Sequence, residues 1–323
     1  MNNAAPDARG VSQARRDAAA GDFRGYLYIA VATFCWALAA VLARAIFGGR
    51  LIARAHAGAI GPLALSQTRT SISFLLLAPT LLLARRAAPS LRTAKLITPD
   101  ALGAMLIGAA GIACSNFCYY VAIQKTTVAT AIVLQYLCPI WVLLFMVATR
   151  RQPATAVRIS AVILAVLGSA LVVGIGHADM RYNTIGILAG LAASFAFAFY
   201  NVRGRSLLER YDRWSVFLYA MLGATVFWCV VSSPWRLVSA NYSAAQWEFL
   251  VAFAIASVLV PYAFYFSGLR HLDATRAVVT SCLELVFAIL LAAIALGEVL
   301  HIGQAFGVVC VIAATVMIAR SKD

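Results

Sequence analysis

Charge is scarce in this chain. Only 12% of its 323 residues are Asp, Glu, Lys or Arg, against roughly 25% in typical soluble domains. Acids are scarcer still, 12 against 26 Lys and Arg. A chain so poor in charge is neither a disordered polymer nor a coiled coil, and collagen-like and disulfide-scaffold classes are excluded as well. No HExxH, GxSxG or Walker A motif occurs, so zinc-protease, serine-hydrolase and P-loop chemistries have no carrier. The four histidines (His56, His177, His271, His301) lie in loops or at segment ends, and none is spaced with another as a metal pair. All seven cysteines (Cys35, Cys114, Cys118, Cys138, Cys229, Cys282, Cys310) fall inside apolar runs. None has CxxC or Cys/His zinc spacing, so they read as small packing residues. No metal or cofactor is implied, and the chain is not expected to be an enzyme.

What is abundant is apolar surface. Hydrophobic residues make up 63% of the chain, and mean hydropathy is +0.87. No water-soluble fold can bury that much, so the expected class is an all-α integral membrane protein. A bilayer core of about 30 Å needs roughly 20 apolar residues per helix. Ten segments meet or approach that length: 26–47, 63–84, 101–123, 127–148, 156–176, 183–203, 214–234, 247–269, 275–296 and 300–319. Residues 1–24, with four Arg and three Asp, read as a disordered cytoplasmic tail. Ala37-Leu38-Ala39 mimics a signal-peptidase site, but the apolar run continues to Phe47, so an uncleaved first span is expected. The seventh span runs into Pro234-Trp235-Arg236, an interfacial exit.

The formal net charge of +14 invites a nucleic-acid reading, which position rejects. The basic residues sit in short clusters between apolar runs. The N-terminal tail, 85–95, 150–158, 203–213, 270–276 and the C-terminus hold 4, 4, 3, 4, 2 and 2 of them. The alternate loops hold six: Arg44, Arg50, Arg54, Lys125, Arg181 and Arg236. Nineteen against six places both termini in the cytoplasm by the positive-inside rule.

An internal repeat organises the spans. Residues 122–141 can be laid on 268–287, pairing Ala131 with Ala277, Trp141 with Phe287 and, beyond, Gln152 with Glu298. The stretch from Gly25 likewise matches that from Gly186, pairing Trp36 with Phe197 and Arg44 with Arg205. The halves are 26–176 and 183–319, flanked by a tail (1–25) and a short C-terminus (320–323). Five spans per half is an odd number, so the two halves enter the membrane in opposite senses. Inverted repeats mark secondary transporters, whose substrate site lies near the midplane.

The residues resemble the drug/metabolite transporter superfamily, and specifically its EamA family. The resemblance rests on ATFCWALAAVLAR (32–44), PLALSQTRTSISFLLL (62–77) with its Arg, LCPIWVLLF (137–145) and ATRAVVTSCLELVFAILLAAIALGE (274–298), with the sixth span resembling the first. It covers about residues 25–320. It implies a central cavity lined by spans 1–4 and 6–9, with spans 5 and 10 peripheral, and export of small metabolites. Two departures stand out. Leu285 replaces a common Pro, which leaves a kink there open, and Arg151-Gln152 replaces a common Gly-Glu.

Ionisable groups inside a span cost about 2.5–3.5 kcal/mol on insertion scales and default to function. Glu284 is the one acid deep in a span, and Arg69 the one base clearly inside one. Arg69 also reads as a clamp on backbone carbonyls. Glu284 can exchange a proton and so couple transport to the proton gradient, or stay ionised and attract a cation. Helical spacing puts Ala277, Thr280, Ser281, Glu284 and Ala288 on one stripe, and sets Asn116 with Tyr120 and Gln135 with Pro139. Trp36, Tyr200, Asn201, Tyr262 and Tyr265 complete the candidate pathway. Gly186-x-x-x-Gly190 and Gly303-x-x-x-Gly307 permit close helix packing. The bland use is within the chain and the sharp one a homodimer.

The sequence therefore describes a bacterial inner-membrane secondary transporter, an exporter of small organic metabolites such as amino acids or drugs. A passive channel or facilitator is the alternative. Its partners are a small-molecule substrate and the lipid bilayer, with no nucleic acid, and the chain is a monomer or a homodimer.

Overall fold

The computed structural model describes residues 8–47, 60, 62–87, 98–126, 128–174, 183–296 and 301–321. Arg50, Arg54, His56, His177, Arg181 and Glu298 lie outside them. All regular structure among the described residues is helical. In chain order the helices are α1 Ala8–Phe47, α2 Pro62–Ala87, α3 Thr98–Leu106, α4 Cys114–Lys125, α5 Val128–Gln135, α6 Cys138–Ala148, α7 Ala156–Val173 and α8 Thr184–Leu208. They continue as α9 Arg213–Val231, α10 Trp235–Val238, α11 Ala244–Ala254, α12 Val260–His271, α13 Ala274–Ser281, α14 Leu283–Leu296 and α15 Ile302–Arg320. A π-helical segment, Ile107–Ala113, joins α3 to α4, and another, Ile255–Leu259, joins α11 to α12.

Polar caps start the helices where the apolar runs begin. Asp212 accepts from the backbone of Trp214 and Ser215, Asp273 from Arg276 and Asn183 from Gly186, which satisfies amides that have no intrahelical partner. Gly174, at φ 82°, ends α7 in the left-handed region that glycine adopts without strain.

Nine stretches among the described residues are long and apolar enough to cross a membrane. The expected second span is helical as α2 but is not one of the nine. Its polar run Ser66-Gln67-Thr68-Arg69-Thr70 lowers its hydropathy. The helix accommodates that run internally: Thr68 donates to Ala64 O at 2.7 Å, Thr70 to Ser66 O at 2.9 Å and Ser73 to Arg69 O at 2.6 Å, the usual back-bonding of hydroxyls in apolar surroundings.

One sequence expectation is corrected, and one open point is decided. The tail expected to be disordered is helical from Ala8 onward, and its Ala and Arg content suits that state. The ninth span, where the missing Pro left a kink open, is broken between α13 and α14. Cys282 N bonds Val279 O at 3.1 Å and Leu285 N bonds Cys282 O at 3.1 Å, so three-residue bonds make the break that a proline makes elsewhere. The fourth span is broken too, between α5 and α6, where Pro139 withholds its amide.

These irregularities are spaced regularly along the chain. One shift of 146 residues carries Cys114–Lys125 onto Val260–His271 and Val128–Gln135 onto Ala274–Ser281. It also lays the first π-helical segment over the second and the break at Tyr136 on that at Cys282.

α1 packs along α12 and α14, α8 against α4, α5 and α6, and α9 against α2 and α3. The main core gathers around Ile29, Ile107, Tyr200, Phe217, Tyr265, Phe266 and Leu269. Spans 3 and 7 approach closely because Gly108 faces Ala220 O and Gly223 faces Met105 O, with no room for a Cβ on either glycine. α7 and α15 form a separate pair, with Gly168 against Gly307. The α8 glycines Gly186 and Gly190 meet Lys125, Thr126 and Leu134 within the chain.

Candidate functional site

A cavity of about 290 Å³ opens between the helices, at the low end of the roughly 300–1,000 Å³ usual for ligand sites. Seven of the eleven residues expected from the sequence line it: Trp36, Arg69, Asn116, Tyr120, Gln135, Tyr262 and Glu284. α1 supplies Trp36, α2 Arg69, α4 Asn116 and Tyr120, α5 Gln135, α12 Tyr262 and α14 Glu284. The broken spans bring two of these groups to the wall: Gln135 ends α5, and Glu284 lies in the first turn of α14.

Tyr136, at the α5–α6 break, donates its hydroxyl to Glu284 Oε2 at 2.9 Å. Arg69 donates from Nη2 to Asn116 Oδ1 at 3.2 Å, and Asn116 in turn gives Nδ2 to Ile112 O at 2.9 Å. Among the described residues Arg69 thus has the Asn116 side chain, and no backbone carbonyl, as its hydrogen-bond partner. The hydroxyls of Ser66 and Tyr120 pair at 3.0 Å. Arg69 and Glu284 are not among the ion pairs of the described residues. One guanidinium and one carboxyl thus face the same cavity without neutralising each other by direct contact. Trp36 stands edge-on to Tyr262, ring centroids 5.2 Å apart, and supplies an apolar wall.

Four expected residues are packed in the core instead. Tyr200, Asn201 and Tyr265 are 0% exposed and Ser281 is 2%. Tyr265 donates to Asn201 Oδ1 at 2.7 Å, Asn201 Nδ2 to Phe197 O at 2.8 Å, and Ser281 to Val278 O at 2.7 Å. Of the span 9 stripe, Ala277, Thr280 and Ser281 are buried, and only Glu284 and Ala288 reach the cavity. The break at Cys282 separates the two groups.

The sequence reading missed Tyr136, Tyr119, Ser115, Phe197 and Ser257, which also line the cavity. Two signals lay in the chain. Ile112, Ser115, Asn116, Tyr119 and Tyr120 follow i, i+3, i+4, i+7, i+8, one helix face. Phe197 is the repeat partner of Trp36, already a candidate.

On the side of the basic loops the bundle is tied shut. Arg276 bonds Asp22 at 3.1 Å, Asp273 at 3.3 Å and Ser321 O at 2.7 Å. Thr275 donates to Gln152 Oε1 at 2.8 Å, and Arg205 reaches Leu269 O at 2.9 Å.

The model of the EamA-like transporter family matches residues 23–174 and 184–320, one match per half. The chain is 24% identical over 225 residues to an uncharacterized inner membrane transporter, YicL, of Salmonella typhimurium, covering 68% of this chain and 73% of that one. It is 26% identical over 193 residues to the uncharacterized transporter YxxF of Bacillus subtilis, covering 59% and 61%. A solved crystal structure with 19% identity superposes with a TM-score of 0.69, covering 91% of this chain and 96% of that one, and thereby shares the fold.

Proposed function

Because the chain belongs to the EamA-like transporter family, we propose that it is a secondary transporter of the bacterial inner membrane that exports small zwitterionic metabolites of amino-acid type by alternating access. The observation that carries this reading is that Arg69 and Glu284, not bonded to each other, line one cavity flanked by aromatic rings. A guanidinium suits a substrate carboxylate, a carboxylate suits an ammonium, and Trp36 with Tyr262 suits an apolar side chain. The two halves are inverted in the membrane, with both termini cytoplasmic. The odd number of spans expected in each half supports the first statement, and the charge asymmetry of the loops the second. Glu284 sits where loading a proton and loading an ammonium compete for one carboxylate, which is how a single acid couples efflux to a proton gradient.

Counterflow in proteoliposomes tests the reading, with radiolabelled leucine and phenylalanine as zwitterionic probes and tetraphenylphosphonium as a cationic one. Uptake of a labelled zwitterion should accelerate when the same unlabelled compound is inside. Flux without such trans-stimulation identifies a facilitator, and preference for the cation removes the zwitterion assignment.

A further inference from the structure

The repeat gives a pattern to the four candidates that miss the cavity. A shift of 161 residues carries Ala39 onto Tyr200 and Ala40 onto Asn201, and the shift of 146 carries Tyr119 onto Tyr265 and Gln135 onto Ser281. The first member of each pair lines the cavity. The second is at most 2% exposed. The hydrogen-bonded Tyr136 and Glu284 fall, by the same shift, on Cys282 and Cys138, which are 0% and 1% exposed. Elsewhere both members of a pair line the cavity: Trp36 with Phe197, Asn116 with Tyr262, and Gly111 with Ser257.

This is the arrangement expected of a site straddling an axis in the membrane plane. Residues on the axis serve both sides, and those off it serve one side at a time. We propose that Tyr200, Asn201, Tyr265, Ser281, Cys138 and Cys282 form a second, cytoplasm-facing binding face for the same substrate, held shut here by the hydrogen bond from Tyr265 to Asn201. The proposal rests on the transporter reading above. An independent feature points to a ligand or water there: among the described residues the buried Tyr200 hydroxyl has no hydrogen-bond partner, a costly state in a packed core that entry of a polar group would relieve. This face carries hydroxyls, an amide and thiols but no formal charge, so it holds a zwitterion by neutral hydrogen bonds and releases it more readily than the face with Arg69 and Glu284.

Native thiols report its opening. In a background with Cys35, Cys114, Cys118, Cys229 and Cys310 replaced by Ala, only Cys138 and Cys282 remain to react with a membrane-impermeant maleimide. Tyr265→Phe keeps the ring and removes the latch. Labelling in inside-out vesicles should then rise roughly fivefold, the shift given by loss of one neutral hydrogen bond, with no rise in right-side-out vesicles. Asn201→Ser removes the same bond from the other side and should act alike, and size-exclusion profiles identify a variant that has not folded. If a folded variant labels no faster than the parent, or faster from the periplasmic side, the proposal is overturned. Labelling needs no substrate, so it is read separately from counterflow: a parent with counterflow but no latch effect removes this face and leaves the transporter reading. A parent with no counterflow for any probe removes that reading instead.

Discussion

The cavity wall and the packed core opposite it are built from repeat-related residues on repeat-related helices, yet one is open and the other filled. On the open side α1 presents Ala39 and Ala40. At the matching positions α8 presents Tyr200 and Asn201, both fully buried. Opposite charges line the open side through Arg69 and Glu284, whereas thiols and a hydroxyl stand at Cys138, Cys282 and Ser281 on the closed one. The backbone plan is shared, so side-chain volume and polarity set the difference. Small residues leave a cavity in which charged groups can be solvated, and large aromatic ones close it by stacking. Tyr200 lies 5.6 Å from the Tyr265 ring and 5.7 Å from Phe266.

The comparison breaks most sharply if the open side is made to resemble the closed one. Ala39→Tyr places the bulk of Tyr200 in the cavity of about 290 Å³. Counterflow should fall below detection; because Ala39 also packs with Leu65, Leu250 and Phe253, the ring costs some stability by overpacking, and membrane expression is measured beside transport. Normal transport by this variant would show that the cavity is not on the pathway.

A smaller effect is expected from chemistry than from blockage. Glu284→Gln keeps the shape and removes the charge, so zwitterion counterflow should drop by about 10- to 100-fold, as loss of a charged hydrogen bond implies. Any pH dependence of the parent should flatten. Tyr136→Phe removes only the phenol that donates to Glu284 and should cost about 3- to 10-fold. Equal transport across both variants and the parent would make Glu284 a structural partner of Tyr136 alone.

The least effect on transport belongs to the peripheral pair α7 and α15, where the contrast is one of stability. A Cβ on Gly307 would stand 2.6 Å from Val172 N, while one on Gly303 meets nothing within 4 Å. Gly307→Ala should therefore destabilise the detergent-solubilised protein by about 1–3 kcal/mol through overpacking. Gly303→Ala should leave it unchanged or raise it by under about 1 kcal/mol. Thermal unfolding of the two variants measures the difference. Equal melting points would mean that the α7–α15 contact carries little of the fold.

Much of this was readable in the chain. Apolar run length identifies the helices, since a bilayer leaves the backbone few other ways to satisfy its hydrogen bonds. Insertion cost singles out Arg69 and Glu284, and both reach the cavity. What failed was the assignment of faces. Tyr265 and Tyr262 lie three residues apart on α12, a spacing that groups them on one face, yet Tyr262 lines the cavity and Tyr265 bonds Asn201 in the core. Periodicity gives the side of a helix, not the neighbour that side meets.

By itself the sequence determined that this protein lives in a membrane, that stretches 146 residues apart can be laid on one another, and where the costly polar groups sit along each span. These follow from local composition and from the order of residues along the chain. Only the tertiary structure decided which copy of each duplicated surface opens and which closes, where the fourth and ninth spans break, and that Tyr136 meets Glu284. The reason is physical. Which of two similar surfaces packs and which lines a cavity depends on side-chain volume and on neighbours brought in from distant parts of the chain, and helix periodicity does not encode those neighbours.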